Sequence, residues 1–141
     1  MDTSTISTRA NGQKIIASWF NLIKTLLGTA VDYKVVTTQS VAASGTVTVD
    51  TTMKQIRKVS SSSGSETAST TPFGSTAANF EDGMEVTLIG TSDTNILTIP
   101  TNDAQYGVLS PVGDATLQDN FSVTYIYDET AERFIEKCRN H

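Results

Sequence analysis

The chain has 141 residues, of which 38% are hydrophobic and 7% aromatic, with a net charge of −5 and a pI near 4.7. That length allows one domain and an appendage, and the acid excess argues against a nucleic-acid partner because it repels phosphate at long range. A single cysteine, Cys138, excludes an intramolecular disulfide, and no apolar run is long enough to span a bilayer.

Residues 1–11 are polar and rich in hydroxyls, and they read as an extended arm. They contain no basic region followed by an apolar run, so no signal peptide is expected and the product should fold in a reducing cytoplasm. Residues 12–27 hold the one strong helical pattern. At 3.6 residues per turn, Ile15, Ile16, Trp19, Phe20, Leu22, Ile23, Leu26 and Leu27 form one stripe, opposite Lys14, Ser18, Asn21, Lys24 and Thr25. Gly28 sits where a left-handed C-cap belongs. The stripe can pack on the chain's own sheet or meet a partner; a stripe this wide favours the partner, so residues 1–30 are expected to be an arm and an assembly or docking helix.

The remainder, 31–141, is expected to form a β domain. The whole chain has 15 Ser and 23 Thr; threonine suits a pleated surface and serine suits loops. Residues 31–36 could form a strand or an extended crossover. Thr46–Asp50 alternates, with Val47 and Val49 on one face, whereas Met53–Val59 spaces its apolar residues by three and suggests a turn followed by a strand. Residues 60–79 form a Ser/Thr-rich loop that reads as a flexible surface loop or, more sharply, as a loop pinned by Phe73 against a neighbouring subunit.

From residue 80 the strand pattern is continuous. Met84, Val86 and Leu88 share one face, and Ile96–Ile99 ends at Pro100. Gly107–Leu109 and Thr116–Gln118 are short pieces. Phe121, Val123, Tyr125 and Tyr127 alternate, Asp128–Ala131 turns, and Arg133–Cys138 is the last strand. Such spacing predicts a mainly β fold: an amphipathic N-terminal helix followed by a small antiparallel β-sandwich or jelly-roll-like domain.

No catalytic constellation is visible. The only histidine, His141, is the last residue and lacks a fixed neighbour to set its tautomer. Cys138 lies between Lys137 and Arg139 without a histidine base and reads as an inert strand residue. Glu81, Asp82 and Glu85, and Asp128, Glu129 and Glu132, read as turn acids rather than a glycosidase pair. Asp93, Asn95, Asn102 and Asp103 lack the spacing of a calcium loop. Asn120-Phe121-Ser122 matches a glycosylation acceptor but has no secretory context. No cofactor or metal is expected, and no enzymatic activity.

Thr8-Arg9-Ala10-Asn11-Gly12-Gln13, Ile16 to Asn21 and Leu26 resemble the N-terminal segment of tailed-phage fibre and appendage proteins. Phe80-Glu81-Asp82-Gly83, Val86 to Gly90, Asn95 to Ile99, Thr116-Leu117 and Val123 to Asp128 are similar to a small β module of phage head-fibre, decoration and tail-fibre proteins. Phe134-Ile135-Glu136 and Arg139-Asn140 also fit that class. The resemblance implies a virion structural protein; the sequence departs from the class in showing no long repetitive shaft, receptor-binding tip or enzyme domain, so a non-enzymatic short fibre, fibre base or surface decoration is expected. The resemblance also implies a homotrimer that contacts capsid, neck or tail proteins. The assembly contact is expected to use Ile15, Ile16, Trp19, Phe20, Ile23, Leu26, Leu27 and Phe73. The alternative function is a glycan-binding adhesion module, using Tyr106, Tyr125 and Tyr127 to stack on a host-surface glycan.

Overall fold

A computed structural model describes residues 37–140. Nine strands make two mixed sheets. Sheet A runs in the order β1 (Gln39–Val41), β2 (Lys54–Ser61), β4 (Glu85–Gly90), β8 (Ser122–Asp128), β9 (Arg133–Asn140) and β6 (Val108–Leu109); sheet B runs β3 (Glu66–Thr67), β5 (Leu97–Ile99), β7 (Ala115–Leu117). A 3₁₀ turn occupies Ala77–Asn79.

The body is mainly β, as the sequence predicts, but it is not uniformly antiparallel. The pairs β1–β2, β2–β4, β3–β5 and β6–β9 are parallel, and β4–β8, β5–β7 and β8–β9 are antiparallel. Parallel neighbours need long connections, which are usually helical. Here the connection from β2 to β4 passes through sheet B as β3, and the chain returns to sheet A in its original direction. Lys54 pairs with Glu85 and Glu66 with Leu97, so both layers advance by the same 31 residues. Two coils of chain are thus stacked, one upon the other. A shorter coil precedes them: Gln39 pairs with Val59, while Ser44 N donates to Thr67 O at 2.8 Å and Ser69 N to Gly45 O at 2.8 Å.

The second half reverses this winding. β7 lies antiparallel to β5, and β8 lies antiparallel to β4. One apolar cluster lies within, contributed by Val59, Val86, Leu88, Val123, Tyr125, Tyr127 and Phe134 of sheet A and by Leu97, Ile99, Ala115 and Leu117 of sheet B. Burial of these side chains is the main favourable term for so polar a chain.

Two segments depart from their sequence patterns. Thr46–Asp50 alternates like a strand and buries Val47, yet it joins no sheet. The Gln39 side chain serves it as a substitute neighbour: its Nε2 donates to Thr48 O at 3.0 Å and its Oε1 accepts from Thr48 N at 2.8 Å. Conversely, Lys54–Ser61 is a full strand whose inward residues are Gln55, Arg57, Val59 and Ser61. Buried Gln55 is satisfied by Asp50 O at 2.8 Å and Thr52 O at 2.9 Å, so a polar inner face is tolerated. The helix predicted at 12–27 and the segment 31–36 lie outside the described residues.

Candidate functional site

The pleat of sheet A sends alternate residues outward, away from the core. Across five strands the registers align Lys54, Glu85, Ile126, Ile135 and Leu109 in one row. The next row holds Ile56, Thr87, Thr124 and Cys138. Ile56 is 52% exposed and Leu109 38%, while Ile89, Ile126 and Ile135 are half-buried. Thr87 and Thr124 bond hydroxyl to hydroxyl at 2.9 Å. This outward face combines aliphatic side chains with threonines that satisfy one another, alongside the charged Lys54 and Glu85.

One end of the face is hollowed. A β-bulge interrupts the β8–β9 ladder, so that Tyr125 pairs with Glu136 while Thr124 pairs with Cys138. Beside it, an open groove of about 370 Å³ is lined by Asp82, Gly83, Ile126, Asp128, Ile135 and Lys137, among others. Lys137 Nζ donates to Glu85 Oε1 at 2.7 Å, and Lys54 Nζ lies 4.0 Å from Glu85 Oε2. The Lys137 hydrogen bond holds the Glu85 carboxyl below its ordinary range, and the same bond raises the Lys137 ammonium. With Lys137 so engaged, the two aspartates leave the rim acidic.

Three of the carboxylates grouped in the sequence hold turns and loops. Asp82 Oδ1 accepts from Glu129 N at 3.1 Å, Asp128 Oδ1 from Ala131 N at 2.9 Å, and Glu132 Oε2 from Gln105 Nε2 at 2.6 Å. The oxygen-bearing residues weighed for calcium serve separate loops. Asp93 accepts from Asp119 N, Asn95 from Gly64 N and Asn102 from Ala104 N, while Asp103 pairs with Arg133 at 3.8 Å. Among the described residues no group of three His, Cys, Asp or Glu could hold a metal ion, and no helix is long and apolar enough to cross a membrane.

Phe73 requires a correction. It is 4% exposed and lies in the core of its own chain, with ring centroids 4.5 Å from Phe134 and 5.7 Å from Tyr125. The Ser/Thr-rich loop is therefore pinned from within, because a large aromatic gains more by filling its own interior than by waiting for a neighbour. Of the tyrosines weighed for glycan stacking, Tyr125 and Tyr127 are buried, as their alternation predicts, and offer no flat face to a sugar; Tyr106 is partly buried against the core. Cys138 is exposed on β9. Ile15, Ile16, Trp19, Phe20, Ile23, Leu26, Leu27 and His141 lie outside the described residues.

Sequence reading missed the outward residues Ile56, Leu109, Ile126 and Ile135. A signal was present in β8: between inward Tyr125 and Tyr127, Ile126 is the one apolar residue on an outward face otherwise made of Ser122, Thr124 and Asp128. No family model, curated protein or solved structure matches the chain.

Proposed function

We propose that this protein is a non-enzymatic structural subunit of a tailed-phage virion, a fibre base, head-fibre or decoration protein, or tail appendage. It assembles as a homo-oligomer, a trimer by its family resemblance, through its N-terminal segment. The observation that carries this reading is the pairing of two features. The described body encloses its aromatic side chains and uses its carboxylates in turns and ion pairs, while sheet A turns an aliphatic face outward. Polar β bodies with lean cores gain stability by burying such faces between chains. Stacked coils also suit a building block, since each layer supports the next.

The native mass of the purified protein tests the first half of the proposal, with a trimer expected. Detection of the chain in purified particles tests the second. Trp19→Asp should abolish assembly while the β body stays folded by circular dichroism. A monomer at micromolar concentration, unfolded by Trp19→Asp, would overturn the proposal.

A further inference from the structure

Charge is divided unevenly along the chain. Residues 1–36 carry four basic and two acidic side chains, and residues 37–140 carry six basic and thirteen acidic ones. The stretch 12–27 contains Lys14 and Lys24 and no acid. The groove on sheet A has the complementary character: its lining joins aliphatic Ile126 and Ile135 to Asp82, Asp128 and Glu136, with its one cation, Lys137, engaged by Glu85.

We propose that the outward face of sheet A, centred on Ile126 and Ile135, seats residues 12–27 of a second copy of the chain. The proposal rests on the assembly reading above and names the surface that reading requires. Dimensions agree. A 16-residue helix is about 24 Å long, and five strands from β2 to β6 span about 19 Å at the usual spacing. Chemistry also agrees, since an Ile, Leu and Trp stripe meets half-buried Ile126 and Ile135 and exposed Ile56 and Leu109, whose alternative is water. Lys24 borders that stripe and can reach the acidic rim, while the four-carbon stem of such a lysine covers apolar surface on the way.

Cys138 supplies the test. It is the only cysteine in the chain and is exposed on β9, paired with Thr124 in the outward row. In the full-length protein, Lys24→Cys places a second thiol at the edge of the stripe. Treatment with a short bismaleimide should give a species of twice the chain mass on a denaturing gel. Peptide mass spectrometry should show position 24 joined to Cys138. Ile126→Glu with Ile135→Glu should raise the concentration at which the assembly dissociates at least tenfold, with circular dichroism unchanged. A junction confined to single-chain mass would overturn the proposal by placing the segment on its own body. So would an absent junction in an assembly that Trp19→Asp still dissociates, which would leave the assembly reading intact and move the contact elsewhere. A native protein that is monomeric throughout removes both.

Discussion

Arg139 grips Glu136, three residues earlier on the same strand, through Nε to Oε1 at 3.1 Å and Nη2 to Oε2 at 2.6 Å. In a regular strand, residues three apart face opposite sides. The bulge in β9 absorbs one residue, so Glu136 and Arg139 both turn inward, opposite Tyr125 and Val123. Their side chains are only 6% and 10% exposed. Arg139 also donates to Gly113 O and Asp114 O, each at 2.9 Å, and to Ser110 Oγ at 3.1 Å. The last strand thereby fastens the loop between β6 and β7.

Arg139→Ala should therefore cost about 3–5 kcal/mol, because it removes the guanidinium from beside a buried carboxylate and the donor to two loop carbonyls. Arg139→Met combined with Glu136→Leu should recover part of that loss, since a buried pair is replaced by aliphatic packing. It should not recover all, because the 113–114 carbonyls lose their donor. Urea denaturation of the three proteins measures both effects.

Phe73→Ala should cost about 3–5 kcal/mol, as expected for a large aromatic removed from a packed core. The loss should be felt locally as well. Pro72 O accepts from Val47 N at 2.7 Å, so the loop and the extended 46–50 segment are held together next to that ring. Hydrogen exchange at the Val47 amide should accelerate by more than the global stability change explains.

Two glycines should respond differently to alanine. A Cβ on Gly90 would lie 2.0 Å from Gln118 O, a backbone atom that cannot swing aside. Gly90→Ala should give no folded protein at 25 °C. At Gly64, φ is +58° and nothing lies within 4 Å of the added Cβ. Gly64→Ala should cost only the left-handed conformation, about 1–2 kcal/mol. Thermal melts distinguish these outcomes.

Stability should fall in acid. Hydrogen bonds from Thr52, side chain first and then backbone, together with Arg57 at 2.8 Å, hold the Asp50 carboxyl down at about 2. A depressed carboxyl contributes stability above its unfolded value near 3.8 and loses it as pH falls towards 2. Asp50 is partly exposed, so solvent screening reduces the effect to about 1 kcal/mol. Asp50→Asn should flatten this part of a plot of stability against pH.

The opposite arm belongs to Tyr125. Burial, and then the Glu136 carboxylate, push its phenol far above the ordinary tyrosine range. A raised phenol contributes stability below pH 10 and loses it as pH climbs further. The absorbance of ionised tyrosine should rise in two stages above pH 10, the second coinciding with unfolding. A single stage would show that Tyr125 titrates in the folded protein.

The parts of the fold visible in the sequence are those where one face of a strand is apolar and the other polar or weakly so. Met84, Val86 and Leu88, and Val123, Tyr125 and Tyr127, lie buried as their alternation predicts. β2 was only partly visible, as a turn followed by a strand, because Gln55 and Arg57 face inward and Ile56 outward, inverting the usual sign of the pattern. Strand direction was hidden for a different reason. Alternation reports which side of a sheet a residue faces, not which way its neighbour runs, and no repeated motif accompanies the step of 31 residues. The candidate surface was partly visible, in Ile126, but the row linking it to Ile135 and Leu109 depends on pairings that join distant stretches of chain.

That constant step has a structural consequence. Each lap from Lys54 to Glu85 re-enters the same pair of layers at the same height on the neighbouring rail, so the cross-section is indifferent to how many laps are made. A body wound in this way can be elongated by whole laps, in increments of one strand spacing, about 4.8 Å. Its reversed final strands would remain a lid at the far end, whatever the length between.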